Sequence, residues 1–122
     1  MSNKSKRTIE QLTYDIKDFI EVIKLKTEKL SYEEFINSGD NIDAVELRLI
    51  KIGEAISQIE KQDKEILYTV YNNKSYWERV KGTRHRLVHE YWGTSLEILY
   101  YISTEELDEL LEYISKIREL EK

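Results

Sequence analysis

Cysteine is absent from the chain, so no disulfide, thiol nucleophile or cysteine-held metal enters the reading. Proline is absent as well, and glycine occurs only four times. The two residues that most often interrupt helices are therefore nearly missing. No apolar run approaches the roughly 20 residues of a membrane span. The first seven residues, MSNKSKR, lack the apolar segment of a secretory signal. These absences predict a cytoplasmic protein with no membrane partner. Excess positive charge is also missing: 19 Lys and Arg face 24 Asp and Glu, a formal net charge of −5. That excludes a general nucleic-acid coat, because phosphate binding runs on cationic charge. Any RNA contact has to use a local basic cluster.

The residues that are present favour helix. Charged residues make up 35% of the 122 and apolar residues 40%, spaced at three and four. The length suits a single domain over residues 1–122, which buries roughly two-thirds of its unfolded surface without staples. Nine tyrosines are many for a helical domain. Tyrosine suits surfaces that are apolar but partly wet, including interfaces.

The spacing predicts a first helix from about Lys6 to Lys29, with a stripe of Ile9, Leu12, Ile16, Phe19, Ile20 and Ile23. Ser31 and Glu34 have the form of a capping box for a short helix ending near Ile36. Residues 37–41, NSGDN, have turn composition. A second long helix follows from Ile42 to Gln62, with Val45, Leu49, Ile52, Ile56 and Ile59 on its stripe. Gly53 inside it costs on the order of 1 kcal/mol against alanine and permits close approach of another backbone. A short helix Lys64–Val70 and a loop at 72–75 come next, then a helix over Tyr76–Tyr91 stopped near Gly93. A last helical region begins at Thr94 or Ser95. Ser103 and Glu106 repeat the capping-box pattern and predict a break there. The expected architecture is an all-α, up-and-down bundle of four main helices with one or two short ones.

One stretch conflicts with these rules. Residues 76–93 hold both histidines, both tryptophans and a run of basic residues, Arg79, Lys81, Arg84 and Arg86. On a continuous helix, Trp77, Val80, Leu87, Val88 and Tyr91 share an apolar arc, and Arg84 falls in its middle. An arginine there needs a partner or a polar cavity. Arg84 and His89 lie about 140° apart around the axis, so one helix does not aim both at one atom. A cleft where two helices or two subunits meet would. The plain readings are a snorkelling or ion-paired arginine and a solvated basic face. His85 and His89, spaced by four, are a weak metal signal with no cysteine or further histidine to complete a site, so no metal or other cofactor is expected.

The residues at 84–91, RHRLVHEY, carry the Arg-x4-His-x-Tyr signature and resemble HEPN-domain proteins of the HepT group. The likeness extends over nearly the whole chain, through Ser31 to Phe35, Ala44-Val45, Ile52-Gly53-Glu54-Ala55, Trp77, Gly82 and Tyr91-Trp92-Gly93. The resemblance implies a HEPN-like helical homodimer that is the toxin of a toxin–antitoxin pair. It further implies a metal-independent endoribonuclease whose catalytic residues are Arg84 and His89, paired at the dimer cleft. The implied partner is an MNT-type nucleotidyltransferase antitoxin that adds AMP to the motif tyrosine, here Tyr91.

The residue types suit that chemistry. RNA is cleaved without metal when its 2′-OH attacks the adjacent phosphorus. His89 would take the hydroxyl proton, and Arg84 would hold the charge growing on phosphate oxygens. Arg86 and Lys81 would hold the strand, and Glu54 is a supporting candidate. AMP on Tyr91 would bring negative charge and bulk against an RNA phosphate. In a two-fold dimer the second subunit's His89 would be the acid; the sequence departs from the group at His85, where asparagine is common, so His85 is an alternative acid. It also lacks the proline often found before the signature. A different class of function stays open: a non-catalytic helical module that binds a nucleotidyltransferase, with Arg84 and His89 pairing to Glu54 or another carboxylate.

Overall fold

A computed structural model describes residues 6–83 and 95–121. In chain order the helices are α1 (Ile9–Thr27), α2 (Tyr32–Ile36), α3 (Gly39–Gln62), α4 (Ile66–Val70), α5 (Lys74–Lys81), α6 (Ser95–Tyr101) and α7 (Leu107–Leu120). A single π-helical turn, Ile102–Glu106, joins α6 to α7. No strand occurs among the described residues, and none of their helices is long and apolar enough to cross a membrane.

Side-chain caps decide where α1, α2 and α5 begin. Thr8 accepts from the Gln11 backbone N–H at 3.1 Å, and the Thr8 N–H donates to Gln11 Oε1 at 2.9 Å. This box starts α1 at Ile9 rather than Lys6, because it satisfies amide donors that otherwise lack partners. The expected Ser31–Glu34 box forms in the same way. α3 begins at Gly39, three residues before the expected Ile42. Only the last four carbonyls of a helix and its first four amides lack internal partners, so Gly39, Asp40 and Asn41 can occupy the first turn. Asp40 there complements the positive end of the helix dipole. α5 likewise begins at Lys74, inside the expected loop, because the Asn73 side chain accepts from the Tyr76 N–H at 3.0 Å. Asp63 accepts from the Glu65 N–H, which keeps Lys64 and Glu65 in a turn and delays α4 to Ile66.

The expected second capping box is corrected. Ser103 Oγ donates to the Leu99 carbonyl at 2.7 Å, and Thr104 Oγ1 donates to Tyr100 O at 2.9 Å. Hydroxyls that bond back along a helix compete with its own ladder. The result here is a wide turn, not a break, at the position where the irregularity was expected.

Polar contacts at the helix ends fix the directions. Gln62 at the end of α3 donates to the Arg7 carbonyl just before α1. Lys24 near the end of α1 pairs with Asp108 at the start of α7, and Arg118 near the end of α7 donates to Thr13 Oγ1 at 3.1 Å. Thus α1 runs antiparallel to both α3 and α7, as an up-and-down bundle requires. The apolar stripes meet between them. Ile16, Ile20, Ile23, Ile56, Ile59, Ile114 and Ile117 are all fully enclosed. The continuous helix expected over 76–91 does not occur: α5 ends at Lys81, and the Gly82 N–H caps it by donating to Glu78 O at 2.9 Å.

This core makes a direct contrast testable. Ile20→Ala should lower unfolding free energy by about 2–5 kcal/mol in urea denaturation. Leu25→Ala, at a side chain 76% exposed on the same helix, should change it by no more than about 0.5 kcal/mol.

Candidate functional site

The motif at 84–91 follows α5 in the chain, and α3 determines where the C-terminal end of α5 lies. A Cβ on Gly53 would sit 2.9 Å from the Val80 carbonyl oxygen and 3.3 Å from that of Lys81. The close approach expected of this glycine is therefore present, and its partner is the last turn of α5. Trp77 in that helix is fully buried, and its indole N–H donates to the Tyr71 carbonyl at 2.8 Å. Tyr71 stacks on Tyr113 of α7 with centroids 4.6 Å apart, and Tyr76 meets Tyr113 edge-on at 5.4 Å. These rings hold α5 against α7 while Gly53 holds it against α3.

Lys81 closes this arrangement. Its Nζ lies 2.5 Å from Glu60 Oε1 and 3.4 Å from Glu78 Oε2. The other Glu60 oxygen, Oε2, accepts from the Tyr68 hydroxyl of α4 at 3.3 Å. Partial burial alone would lower the Lys81 pKa, but the Glu60 and Glu78 carboxylates outweigh it and hold the value above the ordinary lysine range. The expected RNA-contacting ammonium is thus already engaged by two carboxylates. Glu54 is exposed beside Gly53, and its carboxylate makes no hydrogen bond or ion pair to another described residue. Arg79 is exposed, with its guanidinium 5.5 Å from the Tyr76 ring centroid.

After the cap at Gly82, Thr83 is buried and its hydroxyl donates to the Val80 carbonyl at 2.8 Å. Arg84, His85, Arg86, His89 and Tyr91 lie outside the described residues. A crevice between Leu49, Ile52, Val80, Thr83, Ile102 and Glu106 adjoins this exit from α5. Its volume of about 20 Å3 admits a water molecule, not a nucleobase.

Sequence reading passed over Glu60 and Tyr68. Glu60 reads as an ordinary solvated position, although it stands seven residues after Gly53. Positions i and i+7 share a helix face, and this spacing places Glu60 on the side that meets α5.

An all-α bundle whose sequence carries Arg-x4-His-x-Tyr between α5 and α6 defines a protein of the HEPN class. The chain belongs to the HepT-like ribonuclease family: the family described as "Ribonuclease HepT-like" matches residues 16–117. The Methanocaldococcus jannaschii protein named "Putative RNase MJ1216" is 32% identical over 112 residues, covering 92% of this chain and 88% of that one. "Putative RNase MJ0125" of the same organism is also 32% identical, over 92% of each chain. "Probable ribonuclease HepT" of Thermococcus cleftensis is 26% identical over 93% of this chain and 98% of its own. No solved structure matches the chain.

The aromatic cluster between α5 and α7 has a pH signature. Burial raises the Tyr113 phenol and the Glu109 carboxylate, which accepts its proton at 3.1 Å, raises it further, to about 12. Burial and the same carboxylate raise Tyr76 as well. Both phenols are neutral when protonated, and folding favours that form. Their contribution is complete below the ordinary phenol value of 10.0, and that of Tyr113 is lost as pH rises toward about 12. In an ultraviolet titration of the folded protein, part of the phenolate signal should therefore appear late, and Tyr113→Phe should remove some of that late part. A Tyr113→Phe curve identical in shape to the parent's would contradict this.

Proposed function

We propose that this chain is the toxin of a HEPN/MNT toxin–antitoxin pair and acts as a metal-independent endoribonuclease in the cytoplasm. The observation that carries the reading is the family match, which spans the whole of Arg84–Tyr91. The relatives named as RNases, each matched over most of its length, support the same activity.

The chemistry follows from the residue types. His89 takes the proton of the RNA 2′-OH, and that oxygen forms a bond to the adjacent phosphorus. The bond from phosphorus to the 5′-oxygen breaks, and an acid returns a proton to the departing oxygen. A 2′,3′-cyclic phosphate and a 5′-hydroxyl end result. Arg84 supplies permanent, planar donors to the phosphate oxygens as charge accumulates. In a two-fold homodimer the second His89 serves as the acid, with His85 as the alternative within one chain. Arg86 contacts the strand without reading bases. Tyr91 is the acceptor for AMP from the nucleotidyltransferase, and the added phosphate repels RNA from a site two residues away. No cofactor takes part.

The competing reading, a non-catalytic module that binds the nucleotidyltransferase, draws on the net charge of −5 and on a Lys81 held by carboxylates. Purified protein separates the two. Ribonuclease action predicts cleavage of single-stranded RNA that persists in excess chelator and falls by about 100-fold or more in His89→Ala. Full cleavage by that variant would remove His89 as the base, and absence of cleavage by the unmodified parent would favour the binding module.

The regulatory half has its own test. Co-expression with the nucleotidyltransferase should add one or more AMP masses to the intact protein, mapped to Tyr91, and Tyr91→Phe should accept none. An unmodified Tyr91 beside a competent transferase would instead point to neutralisation by complex formation.

A further inference from the structure

We propose that Glu60 and Lys81 are positioning residues: their ion pair, beside the Gly53 contact, fixes the last turn of α5 and hence the point from which the chain runs into Arg84. The inference deepens the ribonuclease reading and rests on it for its kinetic consequences.

Four observations converge on that turn. Gly53 lets the Val80 and Lys81 carbonyls come against the α3 backbone, where a side chain would force them apart. Lys81 then reaches back along α3 to Glu60, at 2.5 Å, with only 17% of the lysine side chain and 25% of the glutamate exposed. Glu60 is itself held from its other oxygen by Tyr68 of α4, so the carboxylate cannot swing away freely. Gly82 caps α5 immediately afterwards, and Thr83 ties its hydroxyl to Val80. Three helices thus restrain Lys81, which stands three residues before the motif arginine. A misplacement of about 1 Å at a reacting group can cost on the order of 100-fold in rate, so a restraint at this distance along the chain bears on catalysis without touching RNA.

A structural anchor and an RNA contact give opposite results when Glu60 loses its charge. If Lys81 held a phosphate, Glu60→Gln would release the ammonium and tighten RNA binding. Lys81→Met would weaken binding and lower the salt slope by about one. If the pair positions the motif, both variants should reduce kcat by about tenfold with KM within about twofold, and the double variant should be no worse than either alone. Lys81→Arg, which keeps the charge, should recover most of the parent rate. The probe is a labelled single-stranded RNA of mixed sequence, cleaved by the full chain.

Hydrogen exchange separates failure of this inference from failure of the ribonuclease reading. In Glu60→Gln, measured where its melting curve shows it folded, peptides spanning 83–91 should exchange several-fold faster than in the parent, while α1 peptides do not change. That result supports the anchor whether or not RNA is cut. Unchanged exchange at 83–91 overturns it, as does a Glu60→Gln variant that cleaves at the parent rate or binds RNA more tightly.

Discussion

The contact at Gly53 is the constraint on which the placement of α5 depends. A residue with no Cβ, in the middle of a 24-residue helix, brings two carbonyls of α5 within van der Waals range of the α3 backbone. Any other residue at this position meets backbone atoms rather than a flexible side chain that could give way. Because α5 is only eight residues long, its propensity alone does not stabilise it. It forms where Gly53, Trp77 and the tyrosine cluster hold it, and its last turn lies where α3 dictates.

The polar groups of the bundle specify direction more than they supply energy. The Lys24–Asp108 pair is largely exposed, and such pairs contribute little in water. Together with Gln62 to Arg7 and Arg118 to Thr13, however, it joins opposite ends of neighbouring helices and fits only one set of antiparallel directions. The stability comes from the enclosed isoleucines. Glu60 and Lys81 are the exception, since they are mostly buried where the last turn of α5 meets α3: there an ion pair orders a specific turn, and loss of either partner would leave the other charge poorly solvated.

Much of the fold was legible because helical periodicity and core burial report the same face. Every residue assigned to the stripes of the first two long helices is buried or packed against the core. The Ser31–Glu34 box was equally legible, since a cap is a local bond between residues three apart. Ser103 and Glu106 have the same spacing and form no cap, because the chain there is already helical and the hydroxyl finds a carbonyl one turn back. The motif at 84–91 was visible as a string of residue types, and it lies within the stretch that the family matches. What the string did not reveal was that α5 ends at Lys81 with Gly82 as its cap.

The sequence by itself determined the helical class, the order of the helices, the apolar stripes and the presence of an Arg-His-Tyr motif. Each of these depends on residues within a few turns of one another, or on residue identity alone. Tertiary structure decided that Gly53 faces Val80, that Lys81 is held by Glu60 instead of standing free, and that Tyr76 is buried while Tyr68, Tyr71 and Tyr113 pack half-buried against the core. Those outcomes join residues from separate helices, and a charge or a ring has no assigned partner until the packing of the stripes brings one within reach.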